Sequence, residues 1–239
     1  MKKSNILLFT ALAFFVCCLT AFNFAMKAQF DTGQYKDRYF DYVTFNQKGF
    51  SAVEVNGAAR LNVRLTQGPH QVRAHKDAQE YLEIRQEGNK LIIDVNHKSD
   101  REQYHGEVLV SLPELTLLEV SSKYTKAGKP ANTIAARFKY GNVQVTGFSQ
   151  DSLQLLQDHA TSVLLTNLKL DKLTAVAGTT PGSTPELFLA GNTIQAAHFD
   201  IKNKGKLELN NMLIPNLSYE FSDSASANFT GTSLQLLKK

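Results

Sequence analysis

The sequence predicts an all-β protein: a right-handed parallel β-helix with repeats of about twenty residues, preceded by an N-terminal transmembrane or signal segment. Three observations predict it. The segments VQVTGF (143–148), VLLTNL (163–168), LFLAGN (187–192), LELNNM (207–212) and ANFTGT (227–232) share one pattern and start at steps of 20, 24, 20 and 20 residues. Apolar and polar residues alternate with period two through most of the body. The first thirty residues hold one long apolar run.

Lys2 and Lys3 precede ILLFTALAFFVCCLTAFNFAM, 21 residues (6–26) without a charge. As a helix at about 1.5 Å per residue this run reaches about 30 Å, the thickness of a bilayer core. Three readings compete: an uncleaved anchor, a cleaved signal peptide and a lipoprotein signal. Phe14, Phe15 and Val16 are too bulky to precede a lipidated Cys17. Asn23-Phe24-Ala25 and Met26-Lys27-Ala28 are poor signal-peptidase sites. The uncleaved anchor leads, and a cleaved signal follows. Lys2 and Lys3 then stay cytoplasmic, and the rest of the chain is exported. The expected division is an anchor at 1–27, a juxtamembrane spacer at 28–49 with scattered Tyr and Phe, and a folded domain at 50–239.

From Phe50 onward, Val53 and Val55, then Leu61, Val63 and Leu65, alternate with polar residues. Leu82 and Ile84, Leu91, Ile93 and Val95, and Val108, Val110 and Leu112 follow the same rule. Breaks fall at NGAA (56–59), QGPH (67–70), EGNK (87–90) and the polar run NHKSDREQYHGE (96–107). The stretch 50–112 reads as first repeats or as a cap of hairpins. LTLLEV (115–120) and IAARF (134–138) fit a step near nineteen, with a slip of phase.

In the second half each repeat has two strands. LQLLQD (153–158), LTAVAG (173–178), AHFDIK (197–202) and LSYEFS (217–222) form one set, with Leu155, Ala175, Phe199 and Tyr219 expected to stack inward. Val145, Leu165, Leu189, Leu209 and Phe229 form the second stack. Gly147, Asn167, Gly191, Asn211 and Gly231 occupy one slot after the strand. A left-handed residue is expected there, because Gly reaches that conformation freely and Asn tolerates it best among the rest. The one long repeat carries its four extra residues in GTTPGSTPE (178–186), which reads as a protruding loop.

Net charge is +4, with 26 basic and 22 acidic residues interspersed. No Lys/Arg block interleaves with aromatics, which argues against nucleic acid as a partner. The two cysteines, Cys17 and Cys18, both lie in the apolar run, so no disulfide or cysteine-rich metal site is expected in the body. Asp200 and Glu220 are the one pair of acids in phase on adjacent repeats, and both read as solvated residues rather than a glycosidase pair. His70, His75, His97, His105, His159 and His198 show no metal spacing and read as surface or turn residues. No GxSxG occurs. No catalytic, cofactor-binding or metal residue is therefore assigned. The two polar loops, with Tyr104, Tyr124 and Tyr140, are the candidate recognition surfaces.

FSAVEVNGAARLNVRLTQGPHQVRAH (50–75), YLEIRQEGNKLIIDV (81–95) and VLVSLPELTLLEV (108–120) resemble the bacterial "putative auto-transporter adhesin, head GIN domain" family over residues 50–237. The resemblance implies an exported or membrane-tethered right-handed β-helix of the Bacteroidota type, with a role in adhesion. It carries over no ligand-binding residue. The turns KYGN, DHAT, NKGK and DSAS depart from the family's glycine-rich ones. Together these readings lead to a non-enzymatic, membrane-tethered domain that binds a glycan or a protein. A periplasmic scaffold or sensing module is the alternative, and a polysaccharide-acting enzyme is third.

Overall fold

The computed structural model describes residues 3–98, 106–134 and 143–238. The chain divides into two units, up to Tyr42 and from Val43 onward.

The first unit is built on helix α1, Lys3–Asp31. Its apolar side chains are unburied. The hydroxyls of Thr10 and Thr20 donate to the carbonyls of Ile6 and Val16, 2.9 and 2.8 Å away. Each polar side chain is thereby satisfied inside its own helix, as an apolar surrounding requires. Gly33 turns the chain at φ +68°, a 3-10 turn follows at Gln34–Lys36, and Tyr35 stacks on Phe30 at 4.6 Å. Among the described residues α1 is the one helix long and apolar enough to cross a membrane.

The second unit is built of short strands. The first ten are β1 (Tyr42–Phe45), β2 (Ala52–Val55), β3 (Leu61–Gln67), β4 (Gln71–His75), β5 (Leu82–Glu87), β6 (Lys90–His97), β7 (Gly106–Leu112), β8 (Leu117–Val120), β9 (Lys123–Lys126) and β10 (Lys129–Asn132). Then come β11 (Val143–Thr146), β12 (Ser149–Gln157), β13 (Ser162–Thr166), β14 (Lys169–Ala177), β15 (Glu186–Ala190), β16 (Thr193–Ile201), β17 (Lys206–Asn210), β18 (Asn216–Phe221) and β19 (Ser226–Thr230). Short 3-10 helices sit at Lys76–Ala78 and Gly231–Lys238.

The strands form two large sheets. The nine-stranded sheet runs β1-β4-β7-β3-β11-β13-β15-β17-β19, and the ten-stranded sheet runs β10-β9-β6-β2-β8-β12-β14-β16-β18, with β5 added against β6. Their inner faces share one core. This architecture corrects the expected right-handed parallel β-helix. The unit is all-β, but both sheets are mixed, and among the described residues no closed parallel winding forms. Strands β4 and β7, β5 and β6, and β9 and β10 pair antiparallel. Antiparallel partners need only tight turns, whereas a parallel pair needs a crossover. Such turns at Gly88 and Gly128 join β5 to β6 and β9 to β10, and after the bend at Gly68 the chain returns as β4 on the far side of β7, so the first half does not wind on as the second does.

In the second half the spacing sets the register. Val143, Val163, Leu187, Leu207 and Ala227 are successive parallel partners. So are Leu155, Ala175, Phe199 and Tyr219 on the other sheet. Two residues, Gly147 and Phe148, separate β11 from β12, so the chain crosses from one sheet to the other through a sharp corner.

The corner slot is left-handed at each of its five positions, with φ from +50° at Asn211 to +78° at Gly147. The Gly/Asn alternation has its own cause. A Cβ on Gly231 would lie 1.7 Å from the Asn211 Oδ1, and one on Gly191 would lie 3.3 Å from the Asn167 Oδ1. Each Asn side chain occupies the space that the next Gly leaves empty.

Candidate functional site

The outer face of the ten-stranded sheet carries a groove of about 580 Å³ between β2, β5 and β6 on one side and the β9–β10 hairpin on the other. The strands position its wall directly. Glu54 and Asp94 alternate with inward Val53, Val55, Ile93 and Val95, so period two sends the acids outward.

The charges of this wall are paired to one another. The Asn56 amide donates to Glu54 Oε1 and to Asp94 Oδ1, both at 2.8 Å, and its Oδ1 accepts from the Ser121 hydroxyl at 2.7 Å. Lys90 Nζ bridges Glu54, at 3.3 Å, and Glu119. Arg85 pairs with Asp94 and, at 3.1 Å, with Glu87. Asn96 donates to Glu83 at 2.8 Å. Burial pushes the Glu54 carboxyl up, but the Asn56 amide and the Lys90 ammonium outweigh it and hold the pKa below its ordinary value. The bond to Glu119 raises the pKa of Lys90.

The opposite wall presents Lys123, which makes no ion pair among the described residues, and Tyr124. The Arg60 guanidinium lies over the Tyr124 ring at 5.3 Å, and Arg60 Nη2 is 3.4 Å from the hydroxyl. One face of this tyrosine is therefore occupied from within the chain.

A second cavity of about 310 Å³ shares Glu54, Asn56 and Lys123 with the first and ends at Asp158 and Thr179. Here the GTTPGSTPE loop meets the sheet. The Asp158 carboxylate accepts from Thr179 Oγ1 at 3.0 Å, Thr180 N at 3.0 Å, Thr180 Oγ1 at 2.5 Å, Ser183 Oγ at 2.9 Å and His159 N at 2.9 Å. Asn203 Nδ2 binds the Gly178 carbonyl from the other side at 2.5 Å. The loop expected to protrude is tied down at its base. Burial pushes Asp158 up, but the Thr180, His159 and Ser183 bonds outweigh it and hold the carboxyl far below the ordinary range. His159 is buried at φ +62°, with Nδ1 3.9 Å from Asp158 Oδ2. Burial holds its pKa below 6.5, Asp158 opposes that shift and Lys123 adds to it.

The remaining sequence candidates are dispersed. Asp200 and Glu220 are adjacent partners of β16 and β18, and Lys202 lies 2.9 Å from Asp200 Oδ2, so that acid is already paired. His97 is buried against Tyr81, 5.1 Å between ring centres, and is not a surface histidine. His70 Nε2 lies 2.8 Å from the Phe50 carbonyl, and His198 Nδ1 lies 3.0 Å from Ser218 Oγ. Tyr104, Tyr140 and His105 lie outside the described residues, as do most of the polar run 96–107 and of IAARF. Among the described residues no three His, Cys, Asp or Glu side chains gather as a metal site.

Sequence reasoning missed the groove because its acids, Glu54, Glu83 and Asp94, come from three strands with no repeat to align them. It missed the Asp158 anchor as well. One signal for that anchor was present: Asp158 stands in phase with Gly178, and three hydroxyl residues follow within five positions.

No family model and no curated protein matches the chain. Solved structures similar to it include a "putative adhesin" from Parabacteroides distasonis, at 8% identity and a TM-score of 0.41, covering 79% of this chain and 96% of that one. A "putative lipid binding protein" from the same organism has 11% identity and a TM-score of 0.39, covering 80% and 94%. A "putative adhesin" from Bacteroides fragilis has 10% identity and a TM-score of 0.37, covering 79% and 96%. Likenesses at these values assign neither a family nor a function.

Proposed function

We propose that this chain is an exported, membrane-tethered binding module, acting in adhesion or ligand capture without catalysis. The groove walled by Glu54, Asp94, Lys123 and Tyr124 is the observation that carries this reading. It is concave and polar, and it offers donors and acceptors from the strands that wall it. A general acid at neutral pH needs a raised carboxyl pKa. The Glu54 and Asp158 carboxyls are both held below their ordinary values by the hydrogen bonds they accept. Such a wall suits recognition of a polar glycan or protein surface better than proton transfer.

The tether is α1, with the anchor proposed at 1–27, the spacer at 28–49 and the binding domain at 50–239. In this division Tyr42–Phe45 of the spacer adds a strand to the edge of the nine-stranded sheet. The test combines protease treatment of intact cells with carbonate extraction of their membranes. The expected result for the tether is a full-length chain that resists carbonate, and clipping on intact cells is the outcome that supports adhesion. Release by carbonate would overturn the anchor. Protection until the outer membrane is opened would overturn adhesion and leave a periplasmic scaffold or sensing module.

A further inference from the structure

The two ends of the stacked strands differ in how they are finished. At the first end the ten-stranded sheet stops at β10, KPAN, where Pro130 has no N–H to offer and Lys129 adds a charge. Natural edge strands are commonly protected in this way. At the other end the sheets stop at β18 and β19. The 3-10 helix Gly231–Lys238 packs on β17 and β19 and is pinned there by Ser233, whose hydroxyl accepts from Met212 N and donates to Met212 O. No comparable element packs on β18 among the described residues.

Strand β18, NLSYEF, has neither Pro nor Lys, and Glu220 is its one charge. Its inward face is only partly covered: Leu217 and Phe221 are half-buried against the core, and Tyr219 between them is open. Phe199 is fully buried, yet its partner Tyr219 on β18 is 51% exposed. Leu234 and Leu237 of the terminal 3-10 helix are more than half exposed.

We propose that this end is an interface between two copies of the chain, joined by antiparallel pairing of β18 with β18. Head-to-tail stacking would bring β18 onto the proline-bearing edge at β10, so the two-fold arrangement is the one left for this strand. Centred on Tyr219, the pairing sets tyrosine against tyrosine and Leu217 against Phe221 of the second copy. Inward residues then meet inward residues. Glu220 falls opposite Ser218 of the second copy rather than opposite its twin, so the strand's one charge meets a hydroxyl donor. The two ten-stranded sheets become one continuous sheet, and the apolar end of each core is covered by the other.

The test uses the full chain in detergent micelles. Copies could also be brought together by α1, so the readout must be site-specific. In a Cys17→Ser, Cys18→Ser background, Tyr219→Cys places two thiols on the two-fold axis, within reach of a disulfide. Mild oxidation is expected to link most chains through position 219. A Lys129→Cys control at the opposite end is expected to stay unlinked. Light scattering is expected to show two chains per micelle for the native sequence and one for Tyr219→Pro, because the N–H of Tyr219 faces the free edge while those of Ser218, Glu220 and Ser222 face β16. Absence of a link at 219, equal linking at 129, or equal masses for the native chain and Tyr219→Pro would overturn the proposal.

Discussion

The two halves of the β-unit are built by different rules. From β11 onward every strand pairs in parallel with the strand one repeat away, residue for residue, and inward columns run unbroken through each sheet. Before β11 the strands mix parallel and antiparallel partners, and the outward face collects the paired charges of the groove. The difference teaches where regularity serves and where it is abandoned. A ladder of equivalent positions gives a uniform wall. A pocket needs side chains from unequal strands brought to one place.

The largest effect that would break the comparison lies in the ladder. Phe199→Ala removes a fully buried ring with partners on both sides, and a loss of about 3–5 kcal/mol is expected. Tyr219→Ala, at the same column on the last repeat, should lose about 1 kcal/mol because the ring is half exposed. Urea denaturation of both variants checks the contrast. Equal losses would mean that Tyr219 is covered as fully as Phe199 and that the column does not open at its last repeat.

Gly178→Ala comes next. Its φ is +81°, and a Cβ there would lie 2.4 Å from the Lys202 carbonyl oxygen. Strain and clash together should lower stability by about 2–3 kcal/mol. Gly147→Ala meets the same backbone strain at φ +78° with nothing within 4 Å, and should lose about 1 kcal/mol. Melting temperatures of the two variants separate the clash from the strain.

Asp158→Ala would leave Thr180 N and three hydroxyls without their acceptor, with an expected loss of about 2 kcal/mol. Faster proteolytic cutting within 179–186 should accompany it. The pH dependence has a definite sign. His159 is held below 6.5 and Asp158 below 3.8, so each contributes stability that is full above its ordinary value and is lost as pH falls. Denaturant midpoints should therefore decline below about pH 6.5, and decline again below about pH 4. His159→Asn, which tolerates the left-handed backbone, should remove the first decline and leave the second. The smallest effect is Arg85→Ala. Its pairs with Glu87 and Asp94 are half exposed, and about 0.5 kcal/mol is expected from the same denaturation measurement.

What could be read from the sequence follows the same division. The columns through Leu155 and Val145 were legible because a repeat in space required a repeat in sequence, and the Gly/Asn corner added its own marker. The closed β-helix was not correct, because periodicity in the second half says nothing about the first. Strands such as β9 and β10 are four residues long, and a turn at Gly128 reverses the chain between them without any repeat to reveal it. The groove was illegible for a related reason. Asn56 holds Asp94 across 38 residues, and Lys90 reaches Glu54 across 36, and no local pattern records such distances. The Asp158 anchor lay between these cases: its phase with Gly178 was readable, but the fold of the loop over it was not.

Amide hydrogen exchange followed by mass spectrometry tests the central contrast most directly. Interior strands β13 to β16 are paired on both sides and are expected to exchange slowest, near the limit set by global unfolding. The β9–β10 hairpin that walls the groove is expected to exchange orders of magnitude faster, as an adaptable wall on a rigid ladder. Protection of β9 and β10 equal to that of β13 to β16 would contradict the division of the unit into a rigid ladder and an adaptable binding end.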